Sequence, residues 1–209
     1  MFDPQRAFVE PLLTWWTSNG RDGLPWREPG RTAFQVLVAE VLLQRTTATA
    51  VAGAYRPFVA RYPTPEAVAA APTEDIERRI GRLGLRKRAA FIERAAHQIL
   101  DRHAGDVPRD HSALTSLHGV GDYTARSILI HVDGAGIAAV DVNVRRLLSR
   151  FFGIDSDADA LEPLADALAP TDRSSDFQHA MLDFAADVCT ARSPQCESCP
   201  IEEHCQKEI

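Results

Sequence analysis

All four cysteines of this 209-residue chain fall in its last 21 residues: Cys189, Cys196, Cys199 and Cys205, spaced C-x6-C-x2-C-x5-C. Four thiols gathered in one tail, with none elsewhere, restrict that tail to disulfides or a metal. Disulfides belong to oxidising compartments. The N-terminus carries Asp3, Arg6 and Glu10 in a helical pattern and has no apolar signal-peptide core. The expectation is a metal site in a cytoplasmic protein. Zinc and an iron–sulfur cluster both accept four thiolates. Zinc sites usually present two close pairs, whereas here only Cys196 and Cys199 form one. The longer loops suit a larger cluster, and Pro194 and Pro200 stiffen them. On spacing alone both metals stay open.

The rest of the chain is punctuated by Gly and Pro into helix-length segments. Residues 3–18 place Phe8, Leu12, Leu13, Trp15 and Trp16 at helical spacing, and Phe34 to Leu43 is apolar enough for a buried helix, with one acid, Glu40. Further helices are expected over 48–62, 87–104, 145–153, 158–168 and 177–189, with short ones between Pro63, Pro65 and Pro72 and over 112–117. No segment sustains strand alternation, so the predicted class is all-α. No 18-residue stretch lacks charge, which excludes a membrane-spanning helix.

A net charge of −6 argues against a polyanionic partner, but charge is polarised along the chain. Arg78, Arg79, Arg82, Arg86, Lys87 and Arg88 run together with no acid among them, while residues 155–176 hold seven acids against one Arg. That pattern suits one basic face on an acidic protein.

Leu117 to Arg150 carries the chemistry. Gly119-Val120-Gly121 permits a tight turn and close backbone approach, and Tyr123-Thr124-Ala125 opens a helix. A Gly turn feeding a helix N-terminus is an anion site. Further on, Asp141 stands in the apolar run Ile137-Ala138-Ala139-Val140-Asp141-Val142. A carboxylate there is costly unless something uses it. From the residues alone it is equally a helix N-cap and a catalytic acid.

These blocks resemble the helix-hairpin-helix DNA base-excision glycosylases, the branch of endonuclease III, the adenine glycosylases of MutY type and the thymine-DNA mismatch glycosylases of Mig type. The resemblance runs from about Trp15 to the end. It rests on Leu117-His-Gly-Val-Gly-Asp-Tyr-Thr-Ala125, on Val140-Asp-Val-Asn-Val-Arg-Arg146, and on the cysteine spacing, which is that family's [4Fe–4S] pattern. It implies double-stranded DNA as partner, a [4Fe–4S] cluster on the four cysteines, and a monovalent cation at the hairpin. It also implies that Gly119, Val120, Gly121, Thr124 and Asn143 contact DNA.

Within the resemblance, endonuclease III-like enzymes carry a nucleophilic lysine where this chain has Tyr123. A phenol forms no Schiff base. The expectation is base removal by a monofunctional glycosylase with little or no lyase activity. Asp141 is expected to stabilise the sugar cation. Glu40 is expected to act on the leaving base or on water, and Tyr123 to line the base pocket. Each has a plainer alternative: Glu40 as a buried acid paired to an Arg, Tyr123 as a packing aromatic. Gln44-Arg45-Thr46-Thr47 is closer to the Arg-Arg-Thr-Thr of thymine mismatch enzymes than to the Gln-Gln-Thr-Gln of adenine enzymes. The chain also ends just after the cysteines, whereas adenine enzymes usually continue into a second domain. Thymine or uracil opposite guanine is therefore the expected substrate, adenine the alternative, and a non-catalytic metal-bound DNA-binding module the rival of a different class. Gln44, Arg45 and Leu85 match intercalating positions, with Arg45 a candidate reader of the orphan guanine. The expected architecture is a monomer of two helical lobes, a barrel over 24–136 and a cluster lobe of 1–23 plus 137–209. The cleft between them would have Glu40 and Tyr123 on one wall and Asp141 on the other.

Overall fold

The computed structural model describes residues 2–81 and 86–207, and every regular element among them is helical. The chain divides into two compact units, Met1–Arg21 with Gly134–Ile209, and Asp22–Asp133. The chain enters the discontinuous unit through α1 (Glu10–Asn19), preceded by a wide π turn over Gln5–Val9. Pro11 has no N–H to return to Ala7, and the Glu10 N–H reaches back to Gln5 O. The single helix expected over 3–18 is thus a π turn running into an α-helix.

The continuous unit follows. After a 3-10 turn at Pro25–Arg27 come α2 (Ala33–Leu43), α3 (Ala48–Arg61), α4 (Pro65–Ala69), α5 (Thr73–Ile80), α6 (Arg86–His103), α7 (His111–Thr115) and α8 (Asp122–Asp133). Helix α2 is its axis. Thr32 opens α2 with a reciprocal capping box to Gln35, a device that contributes about 1 kcal/mol. Phe34, Val36, Leu37, Val38, Val41 and Leu42 are buried on every side of it. A helix apolar all round must lie inside its domain. Tyr55 and Phe58 of α3, Ile76 and Ile80 of α5, Ile92 and Ile99 of α6, and Ile128 of α8 complete this core.

The chain then returns to the first unit with α9 (Val142–Phe152), α10 (Leu161–Leu168) and α11 (Ser174–Asp187). Phe8 and Leu12 meet Phe151, Phe177, Met181 and Phe184 in a second core. Asp183 is buried in α11. It accepts from Trp16 Nε1 at 3.1 Å and from the Arg21 N–H at 3.0 Å, so it ties the N-terminal segment down. Helix α9 begins three residues ahead of the expected start because Asp141 caps it. Gly153 closes it with φ of 66°, a left-handed cap that suits glycine. No helix is long and apolar enough to cross a membrane among the described residues.

Candidate functional site

In the discontinuous unit, Asp141 sits at the end of an extended segment whose backbone is held by side chains. Gln178, itself buried in α11, accepts from Ala139 N and donates to Ala139 O, both at 2.8 Å. Asp166 accepts from Ala138 N at 2.9 Å. The amide of Gln178 thereby takes the place of a neighbouring strand. Asp141 then caps α9: its Oδ1 accepts from Asn143 N and Val144 N, each at 2.8 Å, and its Oδ2 from Asn143 Nδ2 at 2.9 Å. The N-cap and the acid expected from sequence are one residue, and its carboxylate is fixed through both oxygens. Asn143 is half-buried and engaged with Asp141.

Asn143 is held in turn. Its Oδ1 accepts from Arg146 Nη1 at 3.0 Å, and the same guanidinium donates through Nε to Cys189 O at 3.1 Å and through Nη2 to Ala185 O at 2.8 Å. Arg150, one turn on, donates to Thr190 O at 2.8 Å and lies 3.6 Å from Cys189 Sγ. The face of α9 that leads away from Asp141 is therefore bonded to the cysteine segment.

Cys189, Cys196, Cys199 and Cys205 line one pocket with Phe184 and Ile201, and four thiols on one wall are the donor set of an iron–sulfur cluster. Burial pushes the Cys199 thiol up to about 11, and the three neighbouring thiols add to the rise, opposed by a hydrogen bond from the Ile201 backbone. Burial raises Cys205 likewise. Iron binding would replace those protons.

In the continuous unit, α7 and α8 form the hairpin. Gly119 has φ of 82°, and a Cβ there would stand 2.8 Å from Phe91 Cβ. Conformation and space both demand glycine at this point. Val120 is buried and gives its N–H to Leu117 O at 3.1 Å, so it builds the turn. Gln98 of α6 accepts from His118 N at 2.6 Å and braces the loop. Thr124 is buried, which leaves only its backbone to face a phosphate; Gly121 and Asp122 are exposed.

Helix α2 is fastened to this hairpin at two points. Gln44 Nε2 donates to Gly119 O at 3.0 Å, and one turn earlier Glu40 Oε1 accepts from Ser127 Oγ at 2.7 Å. Glu40 lies on the last turn of α2, which Gln44 ends as its C-cap, while Tyr123 and Ser127 are four apart on α8 and share a helix face. Tyr123 is half-buried on the first turn of α8. Arg45 is exposed with φ of 55°, in the left-handed region. Leu85, the remaining expected intercalator, lies outside the described residues.

The basic run needs correcting. Arg88 is buried and donates to Leu42 O at the end of α2, so it serves packing and not a phosphate. Arg78 and Arg79 pair with Asp75, which lies just ahead of the run. His131, on α8, has its pKa lowered to about 4 by burial and by the Arg27 guanidinium, and is neutral at physiological pH. Sequence reading missed Ser127, Arg146 and Gln178. Arg146 stood in a quoted block, but only its carbonyl partners reveal what it holds.

Residues 38–170 match the model of the HhH-GPD superfamily base excision DNA repair proteins, and residues 189–205 match the iron–sulfur binding domain of endonuclease III. An adenine DNA glycosylase of Mycobacterium tuberculosis is 40% identical over 207 residues, covering 95% of this chain and 67% of that protein. A thymine/uracil-DNA glycosylase of Pyrobaculum aerophilum is 37% identical over 203 residues, covering 93% of this chain and 88% of that one. The solved structure of a thermostable thymine-DNA glycosylase superposes with a TM-score of 0.91 at 33% identity, over 97% of this chain and 95% of that chain. The chain belongs to the HhH-GPD superfamily of base excision DNA repair proteins, in the endonuclease III and MutY branch, with that branch's iron–sulfur binding domain at its C-terminal end.

Proposed function

We propose that this DNA glycosylase removes thymine or uracil mispaired with guanine and leaves the strand uncut. The observation that carries this reading is the likeness to a thymine-DNA glycosylase at a TM-score of 0.91, together with Arg45-Thr46-Thr47 in the turn after α2. Breaking an N-glycosidic bond builds positive charge on the sugar, and the ionised Asp141 carboxylate stabilises that charge. Its two oxygens are already oriented by Asn143 and the start of α9, so little reorganisation is needed. A pyrimidine leaves as an anion held by hydrogen bonds, a task that suits Glu40 without a proton to donate. Tyr123 meets the extruded base and, lacking an amine, makes no covalent link to the sugar.

The four cysteines would hold a [4Fe–4S] cluster, which when bound anchors the tail through iron–thiolate bonds. The exposed turn at Gly121 and the start of α8 face the DNA backbone without reading sequence, with a monovalent cation at the hairpin. The protein acts as a monomer on duplex DNA in the cytoplasm.

Adenine removal is the second reading, favoured by the 40% identity to the Mycobacterium tuberculosis adenine glycosylase. One panel separates the two. Duplexes carrying T:G, U:G, A:8-oxoguanine and methylated bases are incubated with the protein, and abasic sites are then opened with alkali. Excision from T:G or U:G is expected. Excision of adenine alone would overturn the substrate assignment, and no excision at all would leave a binding module.

A further inference from the structure

We infer that Ser127 is a positioning residue for Glu40, and that its hydroxyl aims this carboxylate at the leaving base. The inference rests on the reading of Glu40 as part of the excision site. Ser127 Oγ lies 2.7 Å from Glu40 Oε1, and Ser127 is only 1% exposed. A buried hydroxyl needs a partner. Here the partner is the one charged side chain of α2, and the bond spans 87 residues of sequence.

The surroundings make the contact specific. Ser127 sits one turn beyond Tyr123 on α8, and Glu40 one turn before Gln44, the C-cap of α2. Gln44 is bonded to Gly119 O, so the two helices are registered by a second bond at the hairpin. With that register set, the Ser127 hydroxyl fixes the plane of the Glu40 carboxylate. So held, one Glu40 oxygen is fixed and the other is left to orient water or the edge of the leaving base.

The test measures single-turnover excision from T:G and U:G duplexes for wild type, Ser127→Ala, Ser127→Thr, Glu40→Gln and the Ser127→Ala/Glu40→Gln double variant. Ser127→Ala is expected to slow excision about tenfold to a hundredfold, the size of a lost hydrogen bond to a charged group. DNA affinity and melting temperature should stay near wild type. Ser127→Thr keeps the hydroxyl and should restore most of the rate. In the Glu40→Gln background, Ser127→Ala should add little further loss. If Ser127→Ala does not fold, Ser127→Cys keeps the volume with a weaker donor and takes its place. An unchanged rate, or the same loss in both backgrounds, would overturn the inference. Wild type inactive on both duplexes would instead defeat the proposed function, which separates the two failures.

Discussion

Arg146 donates to the main-chain carbonyl of Cys189 at 3.1 Å while its other arm holds Asn143, the residue that bonds Asp141 Oδ2. Cys189 and the Asp141 carboxylate are two hydrogen-bonding side chains apart. Shell residues of this kind typically carry tenfold to a hundredfold of activity. Arg146→Lys keeps the charge but not the planar fork that serves three acceptors. It should lower excision by about that factor, with bound iron falling less than excision rate. Iron analysis and single-turnover assays on one preparation check this. Full activity in Arg146→Lys would show that the chain of bonds is structural only.

Asp141 caps α9, and substitution can separate that duty from the catalytic one proposed for it. Asparagine is as good an N-cap as aspartate, while alanine is a poor one. Asp141→Asn should therefore melt near wild type, bind DNA normally and lose most excision. Asp141→Ala should lose excision and also about 1 kcal/mol of stability. Turnover near wild type in Asp141→Asn would remove the residue from the catalytic role.

The proposal that the strand is left uncut rests on Tyr123. Wild type should give no borohydride-trapped complex with substrate DNA, because no amine stands at this position. Tyr123→Lys should give one, together with some strand nicking. A trapped wild-type complex would refute the monofunctional reading. An untrapped Tyr123→Lys enzyme that still binds DNA would place residue 123 away from the sugar.

His131 gives the fold an acid limit. Its folded pKa is near 4 against an ordinary 6.5, so between these values the unfolded chain binds a proton that the folded chain refuses. Stability from this group is complete above pH 6.5 and falls as pH drops towards 4, by at most about 3 kcal/mol. Urea unfolding at pH 7, 5.5 and 4.5 should therefore show a steeper loss for wild type than for His131→Gln. Parallel losses would assign the acid sensitivity elsewhere.

What sequence reading could reach is set by the separation of partners. Asp141 caps α9 through N–H groups two and three residues on, and such a pattern is legible in a line of text. The cysteine spacing and the glycine turn are local in the same way, and apolar periodicity without alternation was enough for an all-α fold. Ser127 with Glu40, Gln178 with Ala139 and Arg146 with Cys189 are 87, 39 and 43 residues apart. Nothing local marks these pairs. Arg88 shows the converse: in text it belongs to a basic run, yet its position on α6 turns it into the interior, where Leu42 O accepts its charge.

The two bonds from Gln178 to Ala139 have a consequence for reading variants of this chain. Among the described residues, 137–140 have no strand beside them, so two side chains, Asp166 of α10 and Gln178 of α11, hold the segment that leads to Asp141. A Gln178→Leu allele would touch neither DNA nor iron, and its near-equal volume would pass a packing check. Excision by that variant is nonetheless expected to fall, because releasing the peptide that leads to Asp141 shifts its carboxylate. A loss of excision at position 178 would thus report on residue 141.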